Sequence, residues 1–557
     1  MPYTSPWAPL EIPRCNILSY LFPSSLAPSE KPLWIDAVDT SNSISPAQML
    51  FWIKRFAVGL DRLGVPQQEV VLVFSPNHIF VPLVYLATAG SKRYFTGANP
   101  AYTIMEVAHQ MQAVEPAVVL VHPSLLDTAV AAAKQADIPL DRFFLFSDTN
   151  ILETTTTSGL QDWRSFVASE ADAKTWQWDP LEGDLATQTT AVVNFSSGTT
   201  GLPKGVCITH YNLVANSAQA IFSDYAGPKT THPSSERWLA FLPLYHAYSQ
   251  LFTINIALKL RISAVYIMSK FIFENYLKYI QRFKITTVQL VPPVLVMMAK
   301  RSETARYDIS STKHILSGAA PLSSDLQNEV MTRFGMVVCQ GWGMTETTCS
   351  GIMTPGTTKD LSGSIGFLLP NTEARLVQEN GDETVHGEAG ELWLRGPQIM
   401  LEYWRNNPAT LETKTTDGWF KTGDVAATEG GKWWIVDRKK ELIKVNGLQV
   451  APAELEAVLL EHQDVADAAA VAITTVDGNE LPRAYVMLQA GARERVTAKD
   501  IQAFVAEKLS KHKHLTGGVK FVDEVPKLAS GKIVRKVLKD WAKRDAVELG
   551  VALKARL

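Results

Sequence analysis

At 557 residues the chain is too long for one hydrophobic core, so it divides into at least two domains. Its 46% hydrophobic and 20% charged residues describe a globular protein, and a net charge of −3 gives no general attraction to nucleic acid or an anionic membrane. The four cysteines (Cys15, Cys207, Cys339, Cys349) lack zinc-site spacing and suit a reducing compartment, and the absence of an apolar run of about 18 residues argues against a membrane span.

In chain order, residues 1–12 lack the basic-then-apolar pattern of a secretory signal. Short β-branched runs at 70–74, 117–121, 191–194, 286–291 and 336–339 read as strands, with helical patterns such as 45–63 and 102–114 between them. Continuous apolar strands alternating with helices predict layered α/β structure with buried sheets. Residues 153–159, rich in threonine, read as a surface loop. Past the charged stretch 437–441 the pattern changes. A helix is predicted over 451–460, strands over 468–473 and 483–488, and an amphipathic helix over 498–511 with Ile501, Phe504, Val505 and Leu509 on one face. A short strand at 521–522 and a lysine-rich end complete a small α+β unit.

The stretch Asn-Phe-Ser-Ser-Gly-Thr-Thr-Gly-Leu-Pro-Lys-Gly at 194–205 is composed to wrap phosphate. It is not a P-loop. From Gly198 the second glycine would fall on Pro203, and Lys204 is followed by Gly205 rather than a hydroxyl. Cradling still applies: Gly198, Gly201 and Gly205 free backbone N–H groups, Ser196, Ser197, Thr199 and Thr200 add donors, and Lys204 adds charge. A polar surface hairpin is the alternative.

The order of these residues resembles the phosphate loop of the adenylate-forming superfamily: acyl-CoA synthetases, firefly-type luciferases and peptide-synthetase adenylation domains. The resemblance is strongest to 4-coumarate–CoA ligases and runs through nearly the whole chain in further motifs. In the resemblance, Leu-Pro-Leu-Tyr-His-Ala-Tyr at 242–248 would set His246 at the mouth of a carboxylate pocket, with Tyr245 and Tyr248 lining it. On residue type alone His246 would be a satisfied core histidine. The resemblance would set Gly318, Ala319, Ala320 and Pro321, in Leu-Ser-Gly-Ala-Ala-Pro at 316–321, against adenine and the acyl group; the alternative is a tight strand-to-helix turn. Gln-Gly-Trp-Gly-Met-Thr-Glu at 340–346 adds Gln340, Gly341, Trp342 and Gly343; Trp342 stands where the family usually has tyrosine and would keep the adenine stack. Thr345 would bond phosphate, and Glu346 would supply a hard oxygen to Mg2+; alone, Glu346 would be an exposed carboxylate.

Asp-Gly-Trp-Phe-Lys-Thr-Gly-Asp at 417–424 ends on Asp424, which by resemblance bonds the ribose hydroxyls together with Arg438. Residues 441–456 carry Lys444 and Gln449, which by resemblance would serve thioester formation, and Gly447, which would let the pantetheine arm pass, with Val445 and Asn446 where the family has an aromatic and a lysine. By resemblance Lys532, in Pro-Lys-Leu-Ala-Ser-Gly-Lys at 526–532, would be the lysine that enters the site during adenylation; on residue type alone it would be solvated.

The resemblance implies a large N-terminal α/β adenylation domain (1–437), a hinge at Arg438 and Lys439, and a small mobile C-terminal α+β lid domain (440–557). The implied function is an ATP-dependent carboxylic acid–CoA ligase that makes an acyl-AMP and then a thioester, releasing AMP and pyrophosphate. The acid is expected to be aromatic, lodged among Tyr245, Tyr248, Gly318, Ala319, Gly341, Trp342 and Gly343, with Val294, Met297 and Met298 as further candidates. A medium-chain fatty acid, a non-CoA acceptor such as a carrier protein or oxygen, and a non-catalytic nucleotide-binding protein are the alternatives. Ala555-Arg556-Leu557 keeps the small–basic–leucine pattern of a peroxisomal address and would meet an import receptor; otherwise the expectation is cytoplasmic.

Overall fold

The computed structural model describes residues 2–148, 159–196, 203–226, 232–385, 388–445, 448–475, 479–528 and 531–549. Three sheets build the N-terminal region. The first has seven strands, ordered Glu402–Tyr403, Lys204–Thr209, Thr190–Ser196, Tyr94–Ala98, Val70–Phe74, Val118–Val121, Phe143–Leu145. Its last five strands are parallel, and the first two are antiparallel additions at one edge. Val70–Phe74 is buried along its whole length because both sheet faces are covered: Val71 and Val73 enter one core, Val70, Leu72 and Phe74 another.

The second sheet has nine strands, with Val337–Trp342, His314–Ser317, Thr287–Leu290, Arg237–Ala240, Ala264–Ile267 and Trp34–Asp36 running parallel through its middle. The third is a five-stranded antiparallel sheet ending in Phe420–Glu429 and Lys432–Arg438. One core reaching from Ile17 to Trp433 joins all three.

The predicted elements are present with ends set by local chemistry, but the helix expected over 498–511 stops at Lys508 with Leu509 as its extended cap, and the strand expected at 521–522 is Val519–Phe521. The helix expected over 45–63 is Pro46–Arg62, started by a capping box of Ser45 and Gln48 and by proline in its first turn. The helix expected over 102–114 is Ile104–Val114, boxed by Thr103 and Glu106.

From Ile443 onward the chain builds cores of its own. Strands Val465–Thr474, Glu480–Leu488 and Val519–Phe521 form a sheet, and alternate residues of the first feed two faces: Ala468 and Ala470 one, Ala469, Val471 and Ile473 the other. Helices Pro452–Glu461, Ala498–Lys508 and Arg535–Glu548 cover it, the last built from the lysine-rich end. No helix among the described residues is long and apolar enough to cross a membrane. The threonine-rich residues 153–158 and the terminal Ala555-Arg556-Leu557 lie outside the described residues.

Candidate active site

The phosphate-loop motif joins two antiparallel strands, Thr190–Ser196 and Lys204–Thr209, with Ser196 opposite Lys204. A P-loop instead runs from a strand into a helix. Ser197, Gly198, Thr199, Thr200 and Gly201 fall outside the described residues. Gly205 is required by close approach, since a Cβ there would stand 2.9 Å from Val193 Cγ1 and 3.0 Å from Trp404 Cβ. Lys204 Nζ lies 5.1 Å from the ring centre of Tyr403, which pairs with Val206 at the sheet edge.

That edge strand also fixes Glu346. The Tyr403 hydroxyl donates to Glu346 Oε1 at 2.9 Å, and the Met400 N–H donates to the Glu346 carbonyl at 2.8 Å. Glu346 is 5% exposed on the short turn Thr345–Thr347, so it is not the exposed carboxylate its residue type alone would suggest. Thr345 is partly exposed on the same turn.

His246 caps the short helix Ala247–Ser249. Its Nδ1 accepts the Tyr248 N–H at 3.3 Å, which assigns the ring proton to Nε2. Burial, and then the charge of Lys532, push His246 down to about 4, so its imidazole is neutral at pH 7. The Tyr248 hydroxyl donates to the Leu316 carbonyl at 2.9 Å, and its ring lies beside Gly318. The chain continues into a π-helical segment, Gln250–Ile256. Gln250 exchanges two hydrogen bonds with Asn194, at 2.7 and 3.0 Å, and donates to the Tyr245 carbonyl at 3.0 Å. The histidine segment is thus tied to the strand that carries the phosphate motif. Tyr245 itself packs over Gly97, where a Cβ would come within 2.6 Å of the tyrosine's own Cβ.

Ala319 takes a left-handed backbone, φ 68°, at the exposed turn after His314–Ser317 that continues into Ala320 and Pro321. The Gln340 amide donates to Gln327 Oε1 at 2.7 Å and to the Leu322 carbonyl at 3.3 Å, just past this turn. Gly343 is obligatory: a Cβ there would lie 1.6 Å from the Cys349 carbonyl oxygen.

Trp342 does more than offer a stacking face. Its indole N–H donates to Asp424 Oδ2 at 2.8 Å, and its ring lies over Gly351, where a Cβ would be 2.9 Å from Cζ3. Asp424 and Arg438 are cross-strand partners, with Arg438 Nε 3.4 Å from Oδ1. Burial raises the Asp424 carboxyl, while Arg438 and the Trp342 N–H oppose that rise.

Lys532 lies within electrostatic reach of Arg438, Glu441, Asp424 and Glu346; burial and the charge of Arg438 push it down to about 8. The turn that bears it rests on the large domain through Gly531, φ 77°, where a Cβ would stand 2.8 Å from Val291 Cγ2. Lys444 and Gln449 are paired across the hairpin Ile443–Val445 and Leu448–Val450 and are both exposed, outside this group. Asn446 and Gly447, between them, fall outside the described residues. At the connection, Lys439 donates its N–H to the Gly423 carbonyl and pairs its ammonium with Glu391 at 3.0 Å. Val294 and Met298 are buried in the main core, with Met297 packed against it.

The model for AMP-binding enzymes matches residues 27–404, and that for the AMP-binding enzyme C-terminal domain matches residues 454–532. The chain belongs to the AMP-binding enzyme family. A phenylacetyl-CoA ligase of Aspergillus niger is 35% identical over 546 residues, covering 96% of this chain and 98% of that protein. Probable 4-coumarate–CoA ligase 1 of Dictyostelium discoideum is 33% identical over 555 residues, with 97% of each chain covered. Among solved structures, ATP-bound MatB from Rhodopseudomonas palustris matches with a TM-score of 0.81 at 25% identity, covering 96% of this chain and 99% of that one. An anthranilate CoA ligase in complex with anthranoyl-AMP shares the fold, with a TM-score of 0.83 at 21% identity over 97% of this chain and 99% of that one.

Three features of this AMP-binding enzyme escape its motifs. Tyr403, which holds Glu346, lies in an ordinary edge strand with no local pattern to single it out. The Trp342–Asp424 bond joins residues 82 positions apart. Gly351 carries the one available signal, a glycine in a buried stretch, but only the fold brings the indole to it.

Proposed function

We propose that the protein is an ATP-dependent acid–CoA ligase that acts on an aromatic carboxylic acid. The reading rests above all on one observation: Lys532, Glu346, Asp424 and Arg438 share one electrostatic neighbourhood beside a neutral His246. The names of its relatives, phenylacetyl-CoA and 4-coumarate–CoA ligases, support the acid and the acceptor.

In the first step an oxygen of the acid attacks the α-phosphorus of ATP. The new O–P bond replaces the bond to the β-phosphate, and pyrophosphate leaves. Asp424 and Arg438 would hold the ribose, the residues of 196–204 the departing phosphates, and the Lys532 ammonium the charge gathered between acid and α-phosphate. The Nε2–H of neutral His246 would orient the acid without competing for a proton near pH 7. Glu346 and Thr345 offer hard oxygen donors that suit Mg2+, an ion usually held by one or two carboxylates together with substrate phosphates and water. When bound, it supplies further neutralisation of phosphate charge.

In the second step the CoA sulfur attacks the acyl carbonyl, the C–S bond forms, and AMP leaves. Lys444 and Gln449 would serve this step after the small domain turns about Arg438 and Lys439, replacing Lys532. The aryl ring of the acid would lie near Tyr248, Gly318 and Gly341, where the resemblance puts the acyl group.

The test is acid-dependent exchange of pyrophosphate into ATP with phenylacetate, 4-coumarate, benzoate and a medium-chain fatty acid, each followed by addition of CoA. Exchange with an aromatic acid and a thioester product are expected. Exchange without thioester would assign another acceptor, and exchange only with the fatty acid would overturn the substrate class.

A further inference from the structure

Helix Pro452–Glu461 of the small domain is poorly provided for at both ends by its own sequence. Ala451 at its N-cap has no side-chain cap, and no basic residue lies in its last turn. Every helix leaves its first N–H and last C=O groups without intrahelical partners. Here both ends are served from the large-domain side of the connection. Asp437 Oδ2 accepts the Ala453 N–H at 3.1 Å. At the other end the Lys300 ammonium donates to the carbonyls of Leu460, His462 and Val465, the last two at 3.2 and 2.7 Å. An ammonium has three protons, and all three are taken up by small-domain backbone.

Lys300 is the last residue of helix Pro292–Lys300. The beginning of that helix bears the other contact: Gly531 sits against Val291 and Pro293, where a Cβ would be 2.8 Å from one and 3.3 Å from the other. One large-domain helix therefore seats the Lys532 turn at its start and grips a small-domain helix at its end. A cation at a helix C-terminus is favourable both to the orphan carbonyls and to the helix dipole.

We infer that Lys300 is a positioning residue for the adenylation half-reaction: its grip on residues 460–465 holds the small domain where Lys532 meets Asp424 and Glu346, and it must release when Lys444 and Gln449 take their turn. The inference rests on the two-step reading above. Lys300 touches neither substrate nor reacting atoms; it acts through the placement of Lys532.

The test uses full-length Lys300→Met, which keeps the apolar stem and removes the ammonium. Phenylacetate-dependent pyrophosphate exchange should fall about tenfold, with thioester formation from supplied phenylacetyl-AMP and CoA within about twofold of the parent. Trypsin should cut after Arg438, Lys439 or Lys440 several-fold faster in the variant. Parallel loss of both half-reactions with unchanged cleavage would reduce Lys300 to a stability contact and overturn the inference, as would a variant identical to the parent in all three measurements. If the parent itself exchanges with no acid, the functional reading fails, and the cleavage rates alone still decide whether Lys300 holds the domains together.

Discussion

The indole N–H of Trp342 and the guanidinium of Arg438 approach opposite oxygens of the same carboxylate, Asp424, at 2.8 and 3.4 Å. The protein's own side chains thus orient the carboxylate. A tryptophan where the family usually carries tyrosine is thus a change in what holds Asp424. Trp342→Phe keeps an aromatic face and removes the donor. Losing a hydrogen bond to a charged group costs about 1.5–3 kcal/mol. The KM for ATP should rise by roughly tenfold or more, with little change for the acid, and the preference for ATP over 3′-deoxy-ATP should narrow. Exchange kinetics with both nucleotides check this; a rise confined to the acid's KM would refute it.

Gly351 is the floor beneath that indole. A methyl group there would meet Cζ3 at 2.9 Å and Leu394 Cδ1 at 3.2 Å, so Gly351→Ala should destabilise the fold by about 1–3 kcal/mol through overpacking. Because the strain is exerted on Trp342, Gly351→Ala combined with Trp342→Phe should be non-additive. Thermal unfolding of the four proteins of this cycle measures the coupling, and strictly additive shifts would contradict the contact.

On the proposed function, Lys532 should give adenylation an alkaline limb. Its ammonium ordinarily ionises near 10.5 and is held at about 8 here, chiefly by burial and next by Arg438. Through pH 8 the folded enzyme releases this proton while the unfolded chain keeps its own until about 10.5, so this group makes the fold relatively more stable as pH rises. The activity nevertheless loses its cation. The kcat/KM for ATP in the exchange reaction should therefore fall above pH 8 without unfolding, and Lys532→Arg should remove that limb. His246 acts in acid: its proton is held at about 4 against an ordinary 6.5, so the unfolded chain binds it first and stability declines as pH drops through that window. Circular dichroism alongside each pH profile separates the two effects.

Asp545, buried in the small domain, accepts from Arg483 at 2.7 Å, Tyr485 at 2.8 Å and Lys520 at 2.6 Å. Asp545→Asn would leave the buried Arg483 guanidinium without its counter-charge, a loss of about 3–5 kcal/mol. Urea unfolding should display an early transition for the small domain in this variant, and a single transition with an unshifted midpoint would argue that the pair contributes little.

Much of this architecture was readable in the chain. Ser45 with Gln48 and Thr103 with Glu106 announce helix starts within three residues, and the run Val70–Phe74 announces a strand buried on both faces. The motif residues were readable for the same reason: chemistry at fixed short spacing survives as a string. What stayed hidden is relational. Nothing near Tyr403 names Glu346, and nothing near Lys300 names the carbonyls of 460–465, because those partners meet only through the stacking of separate elements. Nor does the exposure of Lys444 and Gln449 follow from their hairpin; it depends on how the small domain sits.

Helix Pro292–Lys300 carries Val294, Met297 and Met298 between its two contacts with the small domain. On the proposed function, a redesign of acid preference that reshapes these side chains would also tilt the surface against which the small domain rests. Selectivity and turnover would then move together along this helix, and a variant chosen for a new acid would need its resting lid position restored before its rate could be compared with the parent's.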